Sequence, residues 1–101
     1  FFSDTATTEI YLFPYTTLSD LLPVTAPLLI IHGGEDEQIP VETSATLFDQ
    51  LCAMPEQGPT VRNVYEGQSH AGVLTTFAAV PDLLTWVEGR FADEPAPTMC
   101  P

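Results

Sequence analysis

The chain has 101 residues, enough for one modest domain and no more. Fourteen Asp and Glu residues face only two basic ones, Arg62 and Arg90, and the net charge of −12 excludes a protein that neutralises nucleic-acid phosphates. The 45% hydrophobic and 10% aromatic content argues for a packed core and against the disorder such acidity otherwise suggests.

The same charge repels anionic substrates and anionic membranes. No apolar run nears the roughly 20 residues that span a bilayer. A solvated acidic face suits a secreted or salt-exposed protein. The sequence begins Phe1-Phe2, with no initiator Met, basic leader or signal pattern, so a piece of a larger protein is expected.

Residues 1–26 are weakly patterned. Thr-rich at 5–8, they continue through Ile10-Tyr11-Leu12-Phe13-Pro14-Tyr15 to Leu18–Leu22, stopped by Pro23. They read as a connector with one short helical turn. Pro27-Leu28-Leu29-Ile30-Ile31-His32 is an apolar run ended by Gly33-Gly34, the pattern of a strand buried on both faces of a parallel sheet. From Val41 to about Ala53, residues Ala45, Phe48, Leu51 and Cys52 form a helical stripe that Pro55 and Gly58 terminate.

Thr60–Tyr65 has strand composition. Val80, Leu83, Leu84, Val87 and Phe91 then form the cleanest helical stripe, read as core, with Pro81 in the first turn. Strand, helix, strand and helix in alternation specify a parallel α/β arrangement. Two strands leave the second face of Leu28–Ile31 without neighbours, so the expected fold is part of a larger sheet. The expected divisions are a connector at 1–26, the α/β portion at 27–92 and a Pro-rich tail at 93–101.

Cys100 lies in that tail, where it has no core to pack into, so a Cys52–Cys100 disulfide tethering the tail is expected. It would close a loop of about 49 residues, with a chain-entropy contribution of roughly 4 kcal/mol at most, and it implies an oxidising compartment.

Functional groups of a parallel α/β sheet gather at the carboxyl ends of its strands. Glu35, Asp36 and Glu37 follow the first strand, and His70 follows the second on a turn flanked by Gly67 and Gly72. A carboxylate there accepts the imidazole Nδ1–H and leaves the other ring nitrogen free to take a proton from a nucleophile. By chemistry alone, any of the three acids serves. Ser69 adjoins His70, and adjacent loop residues seldom present both groups to each other, so a turn role is expected for it. A metal site from His32, Asp36 and His70 is the weaker reading, because a histidine closing a buried strand is more often a satisfied core residue. No metal or cofactor is expected.

Pro27–Pro40 resembles the acid strand and turn of α/β-hydrolases, in which a G-x-x-D-x-x-x-P pattern carries the acid of the catalytic triad. Laid on this chain, Gly33-Gly34-Glu35-Asp36 ends in Asp36 and the proline is Pro40. Tyr65-Glu66-Gly67-Gln68-Ser69-His70 is similar to the histidine loop of the same superfamily. Within it, the ending Trp86-Val87-Glu88-Gly89-Arg90-Phe91 and the Pro95-Ala96-Pro97 tail closing on Cys100 resemble actinobacterial secreted lipases. The likeness covers residues 27–100.

The resemblance implies Asp36 and His70 as the acid and base of a secreted ester hydrolase, acting on an ester or lipid substrate and completed by the rest of a hydrolase domain. No Gly-x-Ser-x-Gly nucleophile elbow is present: Ser3, Ser19, Ser44 and Ser69 all lack the flanking glycines. His32-Gly33-Gly34 invites reading as an oxyanion loop, but that demands an elbow downstream and none exists. These 101 residues alone are therefore expected to be inactive. An aminopeptidase of the same fold and a non-catalytic acidic binding module are the alternatives.

Overall fold

A computed structural model describes residues 22–101. The helical turn expected near Leu18–Leu22, and most of the 1–26 connector, lie outside the described residues. Five elements follow in order: β1 (Leu28–Gly33), α1 (Val41–Cys52), β2 (Thr60–Tyr65), α2 (Gly72–Thr75) and α3 (Val80–Phe91). The fold is α/β. Strands β1 and β2 pair in parallel, from Leu28 opposite Thr60 to Gly33 opposite Tyr65, with α1 as the crossover. A parallel pair needs such a crossover, because its second strand must return to the starting edge.

Each element follows from its residues. Val61, Val64 and Tyr65 supply β-branched and aromatic groups to β2. In α1, Pro40 occupies the N-cap at φ −56° and Glu42 places a carboxylate in the first turn, where the helix dipole favours it. In α3, Asp82 and Arg90 lie at the ends the dipole favours. Asp93, at φ 57°, stops α3: its amide bonds to the Arg90 carbonyl at 3.3 Å and the Glu94 amide to the Gly89 carbonyl at 3.0 Å. That is a Schellman closure with aspartate in the left-handed position glycine normally takes.

Among the described residues the core is small, with Leu51, Val61, Val73 and Ala79 buried and Thr60 fully so. One expectation is corrected. The apolar stripe of α3 is only partly covered: Val80, Leu83 and Val87 are half-buried, whereas Leu84 is 56% and Phe91 87% exposed. The helix makes little contact with the two strands. Its link to β2 is polar, from the Tyr65 hydroxyl to Asp82 Oδ2 at 2.8 Å.

The tail docks at the start of β2. Thr60 takes a hydrogen bond from the Met99 amide at 2.7 Å and donates its own amide to Thr98 Oγ1 at 3.2 Å. Next to that contact Cys52 and Cys100 form a disulfide, which joins the tail to the end of α1.

Candidate active site

Two loops leave the carboxyl ends of β1 and β2 side by side because the strands end in register, Gly33 opposite Tyr65. The Gly34 amide donates to the Tyr65 carbonyl and the Glu35 amide to the Gln68 carbonyl, both at 2.9 Å. This stitching requires glycine at position 33. A β-carbon there would strike the Gln68 carbonyl oxygen and lie 2.6 Å from that of Ser69. Gly67, at φ 79°, turns the second loop through a conformation that side chains disfavour.

Within this frame His70 Nδ1 lies 2.8 Å from Asp36 Oδ2. The carboxylate is an acceptor, so Nδ1 carries the hydrogen and Nε2 keeps its lone pair. Asp36 Oδ1 accepts the amides of Gln38 at 2.8 Å and Ile39 at 2.7 Å, an Asx turn leading into α1. Its side chain is only 3% exposed, whereas His70 is 39% exposed. Burial alone would raise the Asp36 carboxyl, but the Ile39 amide, His70 and the Gln38 amide outweigh it and hold the pKa down at about 2. The pair is a buried acid, ionised at neutral pH, behind a solvent-reachable imidazole.

Of the three candidate acids, Asp36 alone reaches the ring. Glu37 has a different contact: its Oε1 accepts the His70 backbone amide at 3.2 Å. Its carboxyl is held below the usual range by its own amide and that of His70. Neighbouring acids thus grip one histidine by side chain and by main chain. Ser69 Oγ accepts the Gly72 amide at 2.9 Å and starts α2. That four-residue helix was not foreseen, since it is too short for periodicity to register.

His32 is buried and satisfied, with Nδ1 2.6 Å from Ser44 Oγ and Nε2 2.9 Å from the Ile39 carbonyl. Both ring nitrogens are engaged, which leaves no lone pair for a metal. Ser44 and Arg62, joined at 2.8 Å, carried no functional signal in the sequence. The one available hint was a cation placed mid-strand in a chain that has only two. Together with Ile30, Ile31, Ile39, Leu47 and Val73, the histidines and Asp36 bound a cavity of about 220 Å³ between β1, α1 and α2.

An acid and a histidine on adjacent strand-end loops of a parallel sheet are the arrangement of α/β-hydrolases, and the sequence profile of the prolyl oligopeptidase family matches residues 3–93. The chain belongs to that family. Lipase 6 of Candida albicans (strain SC5314 / ATCC MYA-2876) is 30% identical over 74 residues, which make up 73% of this chain and 15% of that lipase. Lipase 10 of the same strain is 31% identical over 74 residues, with the same coverage. The chain therefore spans a small part of the length of these relatives. No solved structure matches it significantly.

Proposed function

We propose that this chain supplies the acid and base of a secreted serine hydrolase that cleaves carboxylic esters, a lipase or carboxylesterase of the secretory-lipase type. The observation that carries the reading is the 2.8 Å hydrogen bond from His70 Nδ1 to a buried, ionised Asp36. The lipase names of two relatives and the disulfide, which suits an oxidising extracellular setting, add support. In this reading residues 27–92 are the C-terminal α/β portion, residues 1–26 connect it to the remainder, and 93–101 are its tethered tail.

His70 Nε2 takes the proton of a serine hydroxyl supplied by another part of the enzyme. The serine oxygen attacks the ester carbonyl, and His70 returns the proton to the departing alcohol. Water then repeats the cycle on the acyl-enzyme. Asp36 keeps the hydrogen on Nδ1 and stabilises the imidazolium as it forms. The base is useless without the nucleophile, so the isolated 101-residue chain should show no esterase turnover.

In the full-length enzyme, His70→Ala should lower kcat for a p-nitrophenyl ester by about 10⁴-fold or more. Undiminished hydrolysis by that variant overturns the reading. One observation favours a second reading: the matching family is named for a peptidase. Aminoacyl amides and long-chain esters, offered in parallel to the full-length enzyme, separate a peptidase from a lipase.

A further inference from the structure

The Asp36–His70 pair rests on a second, buried layer of polar groups. His32, 7% exposed, lies in β1 beneath the acid turn. Its Nε2 is 2.9 Å from the Ile39 carbonyl and 3.3 Å from Asp36 Oδ2, the same oxygen that receives the His70 Nδ1–H. The Ile39 carbonyl can only accept, so Nε2 bears the hydrogen and donates it there, with Asp36 Oδ2 beside the same nitrogen. On the other side of the ring, Nδ1 meets Ser44 Oγ at 2.6 Å. Ser44 Oγ accepts Arg62 Nε–H at 2.8 Å, and Arg62 Nη2–H reaches the Val41 carbonyl at 2.9 Å. One chain of contacts therefore runs from β2, through α1 and β1, to the acid turn.

We propose, on the hydrolase reading above, that His32 is a positioning residue which holds Asp36 Oδ2 from its buried side and so fixes the direction in which the carboxylate meets His70. The two amides on Oδ1 pin one end of the carboxylate, and a concerted turn of χ1 and χ2 that pivots about Oδ1 would still carry Oδ2 off the His70 ring. The His32 Nε2–H edge, 3.3 Å from Oδ2, opposes that pivot. It also gives the inner side of Oδ2 a partner where water does not reach, and a buried charge without one is costly. Arg62 and Ser44 anchor the ring to β2, the strand that leads to His70, so the acid and the base are referred to one frame.

The test uses the full-length enzyme and a short-chain p-nitrophenyl ester. His32→Phe keeps the ring volume and removes both polar contacts. It should lower kcat at least about tenfold with KM within about twofold, the signature of an interaction that acts on the chemistry and not on substrate binding. The low-field proton resonance of the His70 Nδ1–H should move or broaden. His32→Gln, which can return a donor near the Nε2 position, should recover part of kcat. Wild-type kcat together with an unmoved resonance in His32→Phe overturns the proposal and leaves His32 a packing residue.

If His32→Phe does not fold, Ser44→Ala, which frees the ring at Nδ1, decides the matter by the same two readouts. Retained activity in His70→Ala would instead sink the hydrolase reading itself. The resonance then judges His32 by itself: displacement in His32→Phe supports its hold on Asp36, and an unchanged signal ends the proposal.

Discussion

At the residue scale the site turns on how one carboxylate is held. Asp36 receives two amides on Oδ1 and the His70 imidazole on Oδ2, so it is ionised although nearly enclosed. Asp36→Asn preserves the volume but can place an amide N–H against His70 and favour the wrong tautomer, so kcat of the full-length enzyme should fall by about 10³–10⁴-fold. The depressed carboxyl also has a stability consequence. Its pKa falls from 3.8 to about 2 on folding, so the folded state binds the proton less tightly than the unfolded chain. The stabilisation is fully present above the unfolded value and is lost as pH falls through the folded one. Denaturant titrations between pH 6 and pH 2 should show a steeper loss of stability below about pH 4 in the wild type than in Asp36→Asn. Glu37 shifts in the same direction and adds to the slope.

At the scale of elements, the two loops are one object because the backbone of the histidine loop crosses directly over the end of β1. The Glu35 amide bond to the Gln68 carbonyl exists only at that distance. Gly33→Ala would put a methyl group against two backbone carbonyls, neither of which can rotate away as a side chain would. The expected cost is roughly 1–3 kcal/mol, the range for overpacking. It would be read as a lowered Tm, with a drop in kcat as His70 is displaced. A Gly33→Ala enzyme with unchanged Tm would mean that the crossing is looser than these contacts require. The short helix α2 belongs to the same unit, since the Ser69 hydroxyl starts it and Val73 sends it into the core.

At the scale of the whole molecule, the described residues form a sheet of two parallel strands with a small buried core. The exposed Leu84 and Phe91 of α3 belong to the same picture, an apolar helix edge that the described residues leave uncovered. In such a fold a covalent tie counts for much. The Cys52–Cys100 bridge joins residues 48 positions apart and holds the tail beside Thr60 at the start of β2. Replacing both cysteines by alanine should destabilise the full-length enzyme by about 3–4 kcal/mol on the chain-entropy model. Dithiothreitol should reproduce the loss in the wild type and leave the double variant unaffected. Among the described residues no helix is long and apolar enough to cross a membrane.

The order of β1, α1, β2 and α3, the parallel α/β class and the strand-end placement of Asp36 and His70 were legible because periodicity and turn residues are local properties of the chain. The Gly33–Pro40 spacing singled out Asp36 only through resemblance, since Glu35 and Glu37 are chemically equivalent on paper. Tertiary structure separated them: one side chain reaches the ring of His70, another its backbone amide, a difference of a few ångströms that no spacing encodes. The exposure of the α3 stripe was likewise beyond periodicity, which finds an apolar face but not what covers it. The contacts from Arg62 through Ser44 to His32 also arise only on folding, because register and crossover bring together residues that lie 12 and 18 positions apart. By itself the sequence determined which groups stand at the strand ends. Packing decided which oxygen each group shares, because hydrogen bonds are won by distance and direction in space.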